Sequence, residues 1–171
     1  MKKLIAIVMM LLYVGFAMQS SAAQLEEQPS KTEFIDSKSK DGMYQYKFLC
    51  TTYFDENLQP ASYLFILAAQ NDTYKHLEDI FVICYGSADE MYNHLSTIYN
   101  FSENFKEDGV KVPKDGYSLM NYKLPMFGWY TDIRNDKGVH GFKTKDFKRL
   151  IEKMEKFCQK KGITINKEPS E

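Results

Sequence analysis

From residue 42 to residue 165 the hydrophobic positions follow two periods. Met43 to Phe54 alternates, with Tyr44, Tyr46, Phe48 and Cys50 on one side, which predicts a half-buried strand. The polar stretch Asp55 to Pro60 turns the chain into a second strand, Ser62 to Ala69. Glu78 to Tyr85 has a continuous apolar centre, Ile80 to Ile83, as expected of a strand covered on both faces. Three further strands are predicted over Tyr117 to Leu124, Phe127 to Arg134 and Val139 to Lys143. The last two form a hairpin closed by Asn135-Asp136-Lys137-Gly138.

Two segments switch to helical spacing. Met91, Leu95, Ile98 and Phe101 recur on one face behind Ser87-Ala88-Asp89-Glu90, whose Ser and Glu are spaced to satisfy free helix N–H groups reciprocally. Phe147, Leu150, Ile151, Met154, Phe157 and Cys158 form the second face, opened by Thr144 and stopped by Gly162. The fold class is therefore α+β: an antiparallel sheet of about six strands packed against two amphipathic helices, in the order βββα-βββα. A shift of 56 residues lays Met91, Leu95, Ile98 and Phe101 on Phe147, Ile151, Met154 and Phe157, which suggests an internal duplication.

The flanks lack either period. Lys2 and Lys3, the apolar run Leu4 to Met18 and the small residues Ser21 and Ala23 have the order of a secretory signal peptide over residues 1–23. The run is too short to span a bilayer comfortably, so cleavage is expected to leave one domain and no membrane anchor. Residues 24–41 are polar and are read as a flexible leader, 42–165 as the single domain, and 166–171 as a flexible tail. The two-lysine opening suits a bacterial exported protein, periplasmic or extracellular.

Charge and candidate chemistry narrow the function by exclusion. Of 22 basic residues two lie in the signal segment, so the exported part carries 20 against 23 acidic, a net −3 that disfavours nucleic acid as a partner. Cys50, Cys84 and Cys158 continue apolar patterns and read as buried small hydrophobes; one disulfide among them stays an alternative. His76, His94 and His140 share no ligand spacing, so no metal or other cofactor is expected. The chain has no nucleophile elbow, metalloprotease helix or glycine-rich phosphate loop.

Two surface candidates remain. Phe127-Gly128-Trp129-Tyr130 concentrates aromatics around the only tryptophan and offers Trp129 and Tyr130 as a stacking platform. From Lys143 to Lys161 eight basic residues accompany three acids, and Lys148, Lys153 and Lys156 mark a basic helix face suited to an anionic lipid, polysaccharide or acidic protein. The leading expectation is an exported, non-enzymatic interaction module, monomer or weak homodimer, that binds a protein or glycan. A carrier of a small apolar ligand and an enzyme whose site assembles only in three dimensions are the alternatives. A histidine beside a carboxylate in a cleft would favour the enzyme.

Overall fold

The computed structural model describes residues 28–40, 43–74, 79–109, 111–114 and 116–167. The class is α+β, and the described residues form eight strands in two antiparallel sheets rather than about six in one. The first sheet runs in sequence order through β1 (Ser30–Lys40), β2 (Met43–Phe54), β3 (Pro60–Gln70) and β4 (Ile80–Gly86). Helix α1 (Ala88–Asn104) follows. The second sheet is β5 (Lys111–Lys114), β6 (Tyr117–Leu124), β7 (Gly128–Arg134) and β8 (Val139–Lys143), followed by α2 (Thr144–Lys161). The order is thus ββββα twice, one strand per unit more than the periodicity indicated.

Both additional strands lie at sheet edges, where the hydrophobic signal is weakest. Ser30–Lys40 falls in the segment read as a flexible leader, yet it pairs along β2 from Ser30↔Tyr53 to Lys40↔Met43. Polar contacts take the place of apolar alternation. The Thr32 and Thr51 hydroxyls meet at 2.9 Å, Lys161 Nζ bonds Glu33 at 2.6 Å, and Tyr46 OH donates to Asp36 at 2.8 Å. Charged residues also guard an edge against pairing with other chains. β5 carries no apolar alternation and contains Pro113, which an edge strand tolerates. The signal segment and the last residues of the tail, 168–171, lie outside the described residues. Within the tail, Asn166 is tied to Asp89 by two bonds of 2.7 and 2.9 Å.

One hydrophobic cluster joins both units. Tyr46, Phe48 and Cys50 on β2 face Ala69, Leu67 and Phe65 on β3. Over this row and over Leu119, Ile133 and Phe142 of the second sheet pack Met91, Leu95, Ile98 and Phe101 of α1, with Phe147, Leu150, Met154 and Cys158 of α2. The Phe142 and Phe147 rings are 5.0 Å apart, and Phe65 meets Phe157 edge-on at 6.1 Å. Ser87 and Glu90 cap α1 as their spacing requires: Glu90 N donates to Ser87 Oγ at 3.3 Å and Ser87 N to Glu90 Oε2 at 2.7 Å. Thr144 does not cap α2. It is the first helical residue, its hydroxyl lies 2.6 Å from that of Ser102, and Asp146 accepts from Lys143 N at 3.3 Å instead.

The two sheets meet near β4 and β8 through side-chain bonds to backbone rather than a strand ladder. Asn135 Nδ2 donates to Val82 O at 2.8 Å, and Asn71 Nδ2 to Lys137 O at 3.3 Å. Gly138 sits tightly in this seam: a Cβ there would lie 2.8 Å from both Asn71 and Phe81.

Candidate functional site

The turn between β6 and β7 is built to protrude. Along β6 the residues alternate between buried and half-buried up to Tyr122, then Lys123 and Leu124 are exposed. Phe127 N donates to Leu124 O at 3.2 Å, with Pro125 second in the turn and Met126 third at φ 66°, the arrangement of a type II turn. The third position ordinarily takes Gly or Asn, whose small size tolerates positive φ. Here it carries a methionine that is 97% exposed, between Leu124 at 37% and Phe127 at 62%. Three large apolar side chains on one four-residue turn are thereby presented to solvent.

The base of this hairpin is fixed. Asn121, 1% exposed, donates from Nδ2 to the carbonyls of Phe101 and Phe105 and accepts from Thr131 Oγ1 at 2.6 Å. It thus gives the Phe105 carbonyl, just beyond the end of α1, a partner and adds a second bond to the Phe101 carbonyl, which already accepts from Phe105 N. Gly109 N donates to Asn121 O at 2.7 Å, and Lys123 N to Asp108 Oδ1 at 2.8 Å. The apolar turn is therefore carried on a buried hydrogen-bonded root.

Trp129 and Tyr130 are both half-buried and do not form one platform. Trp129 pairs with Lys123 in the register that places Thr131 and Ile133 towards the core, whereas Tyr130 lies on the other face. There Tyr130 stacks on Tyr122 with centroids 5.8 Å apart. Lys143 Nζ lies 5.2 Å from the Tyr130 ring and 6.0 Å from Phe127, which places a cation beside the apolar turn. Along α2, Lys145, Lys148, Lys153, Lys156 and Lys160 are all exposed. The basic face begins next to the turn, because α2 follows Lys143 directly.

A second polar cluster lies at the seam. His140, 7% exposed, has Nδ1 at 2.9 Å from Gln70 O and 3.3 Å from Asp72 Oδ2. A carbonyl only accepts, so Nδ1 carries the proton. Asp72 Oδ2 also accepts from Gly141 N at 2.9 Å. Burial, with a smaller push from Asp72, raises the Asp132 carboxyl above the usual range, against the lowering effect of its bond to Tyr122. Burial, with Asp132 adding, raises the Tyr122 phenol. The histidine does meet a carboxylate, but its Nδ1–H is engaged in joining β3 to β8. His94 Nδ1 lies 3.1 Å from Tyr117 OH, and His76 and Glu78 fall outside the described residues. Among the described residues no group of three His, Cys, Asp or Glu side chains could hold a metal ion.

Cys50, Cys84 and Cys158 are free and buried, in accord with their apolar settings. Burial pushes their thiols up, to about 12, about 12 and about 11. Among the described residues no helix is long and apolar enough to cross a membrane. No protein-family model matches the chain, and no curated protein shows a significant sequence match to it.

Proposed function

We propose that this chain is an exported, periplasmic or extracellular, non-enzymatic binding module whose contact surface is the apolar turn Leu124 to Phe127 with the basic face of α2 behind it. The observation that carries this reading is the exposure of Leu124, Met126 and Phe127 together on a turn whose root is buried and hydrogen-bonded. Large apolar groups displayed contiguously mark interaction sites more often than isolated ones do. The corresponding turn of the first unit offers an internal contrast. Its Leu58, also at positive φ and 66% exposed, stands alone beside Asp55 and Glu56.

Export rests on the order Lys2-Lys3, Leu4 to Met18, Ser21 and Ala23. Placing a photo-crosslinking residue at position 126, and separately at position 58, tests the contact in the host's exported fraction. A crosslink from position 126 to another molecule, lipid or protein, that disappears with Phe127→Ser, and none from position 58, is expected. Equal labelling from both positions removes the reading, and an intact N-terminus in the recovered protein removes the export.

A further inference from the structure

We infer that the partner of this turn is the anionic surface of a lipid bilayer, into which Leu124, Met126 and Phe127 insert while the surrounding lysines contact headgroups; this rests on the turn being the contact surface. Three features of the turn favour a lipid surface over a protein groove.

First, the exposed groups form a protrusion, not a cavity: exposure increases from Tyr122 outward and reaches 97% at Met126. A projecting apolar tip needs a yielding partner. Second, cations surround it. Lys123 precedes Leu124, the Lys143 ammonium is 6.0 Å from the Phe127 ring, and Lys145 and Lys148 are exposed on the first turns of α2. Lys106, whose Nζ donates to Ser102 O, adds a fifth beside Thr144. The acids at this end, Glu103, Glu107, Asp108 and Asp146, are fewer; Asp108 is engaged by Lys123 N, and Asp146 is buried and paired with Lys38 and Arg149. Third, Trp129 and Tyr130 sit half-buried one step behind the tip. That is the level at which amphipathic rings and long basic side chains gather when an apolar group enters the hydrocarbon.

The expected energetics are those of a weak, reversible contact. Each side chain of this size transferred out of water is worth roughly 10- to 100-fold in partitioning. Each lysine near an anionic surface is worth about fivefold.

The test uses the single tryptophan. Full-length protein is titrated with vesicles of equimolar phosphatidylcholine and phosphatidylglycerol, and with phosphatidylcholine alone, while Trp129 emission and co-sedimentation are followed. Residues 1–23 are themselves apolar, so every comparison is between proteins with the same N-terminus.

Blue-shifted emission and sedimentation with the anionic vesicles are expected. Partitioning should fall at least ~10-fold in the Met126→Ser, Phe127→Ser double variant. It should fall ~25-fold or more in Lys145→Glu, Lys148→Glu, and not at all in Leu58→Ser. Urea midpoints of the variants within the wild-type range exclude unfolding as the cause. Equal binding to neutral vesicles overturns the anionic requirement, and binding that survives the double variant at positions 126 and 127 overturns insertion of the turn. No vesicle binding, with a position-126 adduct to a host protein, rejects the lipid while leaving the binding module intact.

Discussion

Replacing Met126 by Gly should make the protein more stable. At φ 66° the methionine Cβ crowds the following carbonyl, which costs an L-residue roughly 1–2 kcal/mol. Glycine escapes that clash but has more freedom to lose on folding, about 0.5–1 kcal/mol. The side chain is 97% exposed, so its removal sacrifices almost no packing. The difference spans about 0–1.5 kcal/mol and centres on a net gain of about 0.75 kcal/mol. For a domain of this size 1 kcal/mol moves the midpoint by ~2–4 °C, so a rise of ~1–4 °C is expected in a calorimetric melt. The urea midpoint should increase with an unchanged slope. A lower melting temperature would refute the strain argument and mean that Met126 makes a stabilising contact. The same variant should bind less well, so stability and binding would move in opposite directions at one residue.

Three other outcomes follow from the interior. Gly138→Ala should cost ~1–3 kcal/mol in urea denaturation, because the new methyl meets Asn71 and Phe81 at 2.8 Å and both are buried. Asp132 has a folded-state pKa above its unfolded value, so its contribution to stability is greatest when protonated and is lost as pH rises from the usual carboxylate range through that raised value. The stability advantage of Asp132→Asn over wild type should therefore grow with pH across that window; a constant difference would contradict the burial argument. The three thiols should resist a disulfide reagent in native buffer and react together only at the unfolding rate, since they are buried and little ionised. Immediate reaction of any one would contradict its placement.

The helices were legible because their signals are local. The Ser87–Glu90 box and the row from Met91 to Phe101 act within a few residues of chain, and the spacing identified both. Strands with a core face, such as β2 and β3, were legible for the same reason. β1 was not, because apart from Ile35 its contacts are polar or charged and its charged partners, Arg149 and Lys161, lie more than 100 residues away. The break into two sheets was also hidden: it depends on seam residues such as Asn71 and Asn135, which read locally as turn formers. At the candidate site the sequence pointed to the aromatic segment Phe127 to Tyr130, with Trp129 and Tyr130 as the platform, while Leu124 and Met126 were passed over. Proline followed by two apolar residues and glycine, where a polar turn is usual, was the available signal. How far that turn stands clear of the core depends on Asn121 joining the end of α1, which spacing along the chain does not reveal.

The most direct test of the contact surface is hydroxyl-radical footprinting of the protein in its host's exported fraction, with the purified chain as reference. Met126 is expected to label heavily alone and to be protected together with Phe127 in the fraction, while Leu58 labels equally in both. Undiminished labelling of Met126 in the fraction would contradict the account.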